Sequence, residues 1–431
     1  MDTSVAGKAG YTLRALPGDA VRQVMWGGYM LRDGLIVPRD GVGRGTGFVS
    51  RSTRGLMTAA WLLSAVEPIL RSHHAPGPGD SKADRGLPQR DDPLDRVIDV
   101  WAAGEASASL GLAAARVLDE LELPERRKDD LAPLANVLGP ACTLWNTGHG
   151  ANMMREAASL MGASGTAEGG LRLAGRTWID AELEATGEGS ESVERRRLSA
   201  AMTDEGFLAQ FAGWIREMRE IASRRPGTGA CTLATAMELW LWTLSHVRKA
   251  ADADGGTLYH DSRPGVTFPL ADALCWLLAS RCQILDVNEL EARGREHPAL
   301  AEALPGVLKF FTDLCHAQAA RGAGEVGRIS AELVFGYRRH PAWDAEGCAS
   351  CYQAEDLEAL EEWIPGLASS ARSYAEVIEA DGSHRPKAGP CARFDGLDAF
   401  TRMRTRLDRC LTGARLARER AAAALRGMIA G

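Results

Sequence analysis

Hydrophobic positions recur along most of this chain at intervals of three and four residues, the spacing of helices that bury one face. Residues 50–72 carry Leu56, Ala59, Ala60, Leu63, Val66 and Leu70 in that pattern. Residues 93–121 carry Val97, Val100, Trp101, Leu110, Leu112, Val117 and Leu121. A third stretch, 129–161, and a fourth, 189–222, complete a set sufficient for a four-helix bundle. Beyond residue 200 the pattern predicts helices over about 203–223, 230–252, 268–292, 298–320, 355–380 and 394–428. Pro-Gly pairs at Pro226-Gly227, Pro264-Gly265 and Pro305-Gly306 punctuate this half. The run from Cys231 to Leu244 is apolar on nearly every face. It reads as a buried central helix, or as a helix that docks on a partner. Residues 1–47 are Gly-rich and irregular, with short extended pieces at 11–14 and 34–38. The loop from His73 to Pro93 is rich in Pro and Gly. The expected fold class is all-α: an irregular segment 1–47, a bundle over 48–200, and a second helical domain over 201–431.

Composition agrees. Of 431 residues, 45% are hydrophobic and 25% charged, as in ordinary globular proteins. Alanine and leucine abound and β-branched runs are scarce, which favours helix. The net charge of −7 and a pI near 5.8 argue against a nucleic-acid binder built on a basic face. The arginines of the last helix, Arg402 to Arg420, read as a solvated or oligomer face. No apolar run reaches about 18 residues without a charge, so no membrane span is expected. The N-terminus lacks the pattern of a signal peptide. Nine dispersed cysteines, an odd number, suit a reducing cytoplasm rather than a disulfide framework.

Three places carry candidate chemistry. Gly187-Glu188-Gly189 sets a carboxylate between two flexible residues, just before a helix that Ser190 is suited to cap. Such a turn is either an ordinary exposed one or a loop that delivers Glu188 into a cleft. His149, in Asn146-Thr-Gly-His-Gly-Ala-Asn152, marks either a close approach to a ligand or a polar residue at a packing site. Cys348 and Cys351 form a C-x-x-C, with His340, His384 and Cys391 in the same region. Zinc needs about four ligands at suitable spacing, and here the second pair is loose; reduced cysteines on a loop are the default. There is no G-x-x-x-x-G-K-[ST], no G-x-S-x-G and no H-E-x-x-H. The glycine-rich run Gly41 to Gly47 lacks a framing strand and helix.

The Glu188 stretch also resembles the acyl-CoA dehydrogenase family. Trp178-Ile-Asp180-Ala181 stands for the family's Arg-Asp-Ala, and Gly187-Glu188-Gly189-Ser190-Glu-Ser-Val-Glu194-Arg195 for its Tyr-Glu-Gly-Thr-x-x-Ile-Gln-Arg. Upstream, residues 157–166 are similar to the family's Leu-Gly-Gly-x-Gly-Tyr loop. Gly45-Thr-Gly47-Phe48 and Arg54-Gly-Leu-Met-Thr-Ala-Ala60 are similar to its Gly-x-Gly-Phe and Arg-x-x-x-Ala-Ala entry. The resemblance covers about residues 30 to 200. Gly187 replaces the aromatic before the glutamate, Ala163 a glycine, and Glu194 the Gln that meets the nucleotide. The family's Arg…Phe-Gly motif has no counterpart.

This resemblance implies a helical catalytic domain, with residues 1–47 as the remnant of a β-domain edge. It implies Glu188 as the base that takes the proton α to a thioester carbonyl, while the β hydrogen leaves as hydride to FAD. It implies cofactor contacts at Gly162, Gly165 and Ser190, and Arg54 near an acyl-CoA substrate. It also implies a homo- or hetero-oligomer with a dehydrogenase-like subunit, and most of the family's flavin-holding β-domain has no counterpart in this sequence. A non-catalytic helical scaffold or partner subunit is the alternative. An oxidase or flavin monooxygenase on the same fold is a third reading, which retention of Glu188 disfavours.

Overall fold

The computed structural model describes residues 58–66, 69–70, 91–122, 128–161, 191–251, 255–298, 300–337 and 397–430. Among them the chain is helical throughout, and an isolated bridge from Ala251 to Thr257 is the only β pairing. We name the helices α1 (58–66), α2 (Asp91–Glu122), α3 (Lys128–Leu144), α4 (Ala151–Met161), α5 (Glu191–Ala201), α6 (Glu205–Arg224), α7 (Ala230–Lys249), α8 (Pro264–Arg293), α9 (Leu304–Phe335), α10 (Leu397–Cys410) and α11 (Ala414–Ala430). The all-α expectation holds. The predicted helix at 355–380, the segment 1–47 and residues 73–90 of the predicted loop lie outside the described residues, while 91–93, predicted as the end of that loop, already belong to α2.

Two hydrophobic clusters hold the helices together. The larger joins α2, α3 and α5 to α10 around Trp145, Phe207, Phe211 and Trp240, all at most 1% exposed. The smaller joins α1, α2, α4, α9 and α11 around Leu62, Ile69, Leu94, Ile98 and Met154. Both clusters draw on residues from either side of position 200, because α2 and α9 are long enough to serve each.

Helix α7 is buried on nearly all sides, as its uninterrupted apolar run predicts. Gly229 begins it at φ +77. A Cβ there would lie 2.9 Å from the Ala319 Cβ and from the His316 Cα, so only glycine fits. By length and composition Pro264–Glu296 could cross a membrane, but 67% of its apolar window is buried inside the bundle.

Three predicted boundaries need correction. The stretch 189–222 is two helices, because the chain turns at 202–204 and Asp204 caps α6 by accepting from the Phe207 N–H at 3.0 Å. The helix predicted at 298–320 starts at Leu304, with Pro305 in its first turn, and runs on to Phe335. Gly322 and Gly327, inside α9, allow close packing: added Cβ atoms would sit 3.3 Å from Ser280 Oγ and 2.7 Å from Arg404 Nη1. The last predicted helix breaks at Gly413, which takes φ +83.

Candidate functional site

Between α3 and α4 the helix does not stop. It widens into a π-turn over Trp145–Gly150, with the Ala151 N–H shared between the Asn146 and Gly148 carbonyls. The local sequence loosens the ordinary ladder. Pro140 removes a donor. Asn146 Nδ2 donates to the Cys142 carbonyl at 2.7 Å and Thr147 Oγ1 to the Thr143 carbonyl at 3.0 Å. Such back-bonding competes with the helix, and π-turns are frequent at functional sites.

The turn aims His149 at two indoles. Its ring centroid lies 4.6 Å from that of Trp145 and 4.2 Å from that of Trp276 on α8. The two indoles meet edge to face at 5.0 Å. Trp145 Nε1 donates to Ser107 Oγ at 3.0 Å, which fixes its ring. Burial first, and then the nearby Arg321 guanidinium, hold the His149 imidazole well below its ordinary pKa, so it is neutral. Its Nε2 and the Asn146 Oδ1 are buried with no hydrogen-bond partner among the described residues. A Cβ at the adjacent Gly148 would meet none of the described residues within 4 Å. At Gly150, by contrast, a Cβ would lie 2.6 Å from Thr58 Cγ2, so that glycine lets α1 close on the turn.

A charged triad borders the rings. Asp99 on α2 pairs with Arg321 at 3.4 Å and with Arg418 of α11. The Arg321 guanidinium lies 5.9 Å from the Trp276 ring and donates to Met153 Sδ at 3.8 Å.

Helix α5 approaches from the other side. Arg195 Nε donates to Asp272 of α8 at 2.9 Å, and Ser199 Oγ to the Thr267 carbonyl at 3.2 Å. Residue numbers rise on α5 as they fall on α8, so the two run antiparallel. The N-terminus of α5 therefore points toward Trp276, one helical turn beyond Asp272. Burial raises the Asp272 carboxyl, against the pull of Arg195.

Glu188, Gly162, Gly165, Ser190 and Arg54 lie outside the described residues, as do His340, Cys348, Cys351, His384 and Cys391. Glu188 is three positions before α5 in the sequence. No group of three metal-ligating side chains occurs among the described residues. Of the cluster itself, the sequence marks only His149, through its flanking glycines. Trp276, Arg321 and Asp99 sit on ordinary helical faces and carry no local signal.

No known family profile and no curated protein matches this sequence. Solved structures do. A Bacillus anthracis acyl-CoA dehydrogenase complexed with FAD superposes with TM-score 0.52 at 10% identity, over 86% of this chain and 56% of that one. The likeness is one of fold. This chain matches little more than half the length of that dehydrogenase. Two acyl-CoA oxidases also match: Arabidopsis thaliana acyl-CoA oxidase 1, with TM-score 0.49 and 15% identity over 88% and 53%, and a tomato enzyme, with TM-score 0.48 and 13% over 79% and 52%.

Proposed function

We propose that this chain is a helical subunit of an enzyme that dehydrogenates acyl-CoA thioesters, with Glu188 as the base. One observation carries the reading. In a fold like that of the dehydrogenase, α5 directs its N-terminus toward Trp276 in the middle of α8, and the segment leading into α5 is the one that holds Gly187-Glu188-Gly189.

On this reading the chain's own residues divide the work. Glu188 takes the α proton. A carboxylate brought against indole rings loses hydration, which raises its pKa toward the working range of a base. His149 is neutral, and its Nε2, in the protonated tautomer, donates to the thioester carbonyl as charge develops there. Trp145 and Trp276 fix the imidazole and form an apolar wall for the acyl chain.

The flavin implied by the family resemblance would supply the hydride acceptor. Asn146 Oδ1, a buried acceptor, suits an N–H on the polar edge of such a ring. The nearby guanidiniums of Arg321 and Arg418 are both engaged by Asp99, so neither is free to meet a diphosphate. The described residues thus do not by themselves fit a whole flavin dinucleotide, and a partner subunit would hold most of it.

The test is the visible absorption spectrum of the chain alone and co-expressed with a dehydrogenase-like subunit. The expected result is paired flavin bands in the co-expressed complex, bleached by acyl-CoA. Turnover should fall by a factor on the order of 10²–10⁴ in Glu188→Gln. A second reading, a scaffold subunit without catalysis, draws on the closed packing of the three rings, whose centroids lie 4.2–5.0 Å apart. Colourless protein in both preparations would establish that reading instead.

A further inference from the structure

Away from the π-turn, Cys231 on α7 and Cys410 at the end of α10 come together across the bundle surface. Thr235 touches both, and the two thiols lie near enough to act on each other's charge. Both backbone and side chains hold them there. Thr232 Oγ1 donates to the Cys410 carbonyl at 2.7 Å. Thr235, one turn beyond Cys231, donates to the Cys231 carbonyl at 2.9 Å and sets the same Oγ1 3.5 Å from Cys410 Sγ.

A cation faces the pair. Arg219 of α6 places Nη1 3.3 Å from Cys231 Sγ, and is itself anchored on Glu238 at 2.8 Å and on Thr235 at 3.0 Å. Arg406 of α10 pairs with the same Glu238 at 3.5 Å. A guanidinium against the sulfur favours the thiolate, the form that attacks disulfides.

The pair differs from the other cysteines. Cys142, Cys275, Cys282 and Cys315 are buried, whereas Cys231 is exposed and Cys410 half-buried. Burial pushes the Cys282 thiol up to about 12 and raises Cys275 and Cys315 well above their ordinary range. Cys231 is also raised, by burial and by Cys410, but Arg219 and Arg406 pull against this. Exposure and a nearby cation thus single out one pair among the described cysteines.

We propose that Cys231 and Cys410 form a dithiol–disulfide site that closes by exchange with a small disulfide of the glutathione class. Cys231 loses its proton to solvent, and its thiolate attacks one sulfur of the small disulfide. That S–S bond breaks and one small thiolate leaves. Cys410, deprotonated in turn, attacks the Cys231 sulfur of the mixed disulfide and expels the second small thiolate. The protein's thiols lose two electrons. The small disulfide gains them, and its two thiolates take up the two protons.

Closure has a structural consequence. Cys410 lies just before the Gly413 turn into α11, whose Arg418 and Arg420 pair with Asp99 and Asp313. The bond would fasten the α10–α11 pair to α7.

The experiment uses the full chain, reduced and desalted, then incubated with glutathione disulfide at mildly alkaline pH. Free thiols are alkylated, and the digest is read by mass spectrometry. The expected product is a peptide pair linking Cys231 to Cys410, with an upward shift in Tm that a dithiol reductant reverses. C410S should stop at glutathione on Cys231, and C231S should give no link, with helical circular dichroism unchanged in both. Glutathione retained on Cys231 of the unmodified sequence without closure, Cys231 linked to any other cysteine, or no reaction at Cys231 would each overturn the proposal.

Discussion

His149 and Trp276 face each other with ring centroids 4.2 Å apart, one from a π-turn and the other from the middle of α8. The contact buries the imidazole and keeps it neutral. An unfolded histidine titrates near pH 6.5. Because the folded value is lower, the unfolded chain binds more protons as pH falls below about 6.5, so this group withdraws stability there. The slope approaches ~1.4 kcal/mol per pH unit. His149→Gln should flatten the stability–pH curve in that window. Urea denaturation at pH 7.5, 6.5 and 5.5 checks it, and a curve parallel to the unsubstituted protein would show that folding leaves the His149 titration unchanged.

Carboxylates pull the other way. Burial raises Glu105 and Asp286 above the usual range. Their protonated forms are favoured in the fold, so they withdraw stability as pH rises through the unfolded carboxylate value near 4. Glu105→Gln keeps an acceptor for the Trp101 Nε1–H, which donates to Glu105 at 2.9 Å. It should therefore be neutral at pH 4 and stabilising at pH 7. Thermal melts at the two values provide the comparison.

Asp99 holds two guanidiniums from distant helices, Arg321 and Arg418. Removing the shared carboxylate leaves both cations partly buried beside each other. Asp99→Ala should cost on the order of 3 kcal/mol in chemical denaturation. Adding Arg418→Met to it should return part of that loss. Equal losses in the single and double variants would mean that the two arginines are insensitive to Asp99.

Gln283 on α8 and Gln318 on α9 are 2% and 0% exposed, and neither side-chain amide has a hydrogen-bond partner among the described residues. A buried amide without partners is costly, about 1–3 kcal/mol. Gln283→Leu or Gln318→Leu should leave the melting temperature unchanged or raise it, whereas Leu278→Ala in the same helix should cost about 2–5 kcal/mol. A large drop for either Gln→Leu change would indicate a buried water or ligand that the amides hold.

Arg195 and Asp272 set how α5 meets α8. Both side chains are partly exposed, at 23% and 39%, so a double-mutant cycle should return only about 1 kcal/mol of coupling. The more informative reading is catalytic. If α5 positions Glu188, Asp272→Asn should lower kcat in the assembled enzyme with little change in KM.

The sequence by itself determined the helices. Periodicity at three and four residues places α2, α7 and the continuous run from α3 through α4 within a few residues, because a helix buries a stripe wherever its partner lies. It also marked His149, since glycines on both sides of a histidine are unusual in a helix. Boundaries set by side chains reaching across the fold were decided elsewhere. Glycines 322 and 327 serve as packing points for α8 and α10, and α9 runs through them.

The site was decided by tertiary structure. Trp145 and His149 are local neighbours, but Trp276, Arg321, Asp99 and Arg418 arrive from four different helices. The meeting of Cys231 with Cys410 likewise depends on α10 folding back on α7. Local periodicity records which face of a helix is buried, not what it is buried against. That pairing follows from how long helices cross, a property of the whole bundle rather than of any one stretch.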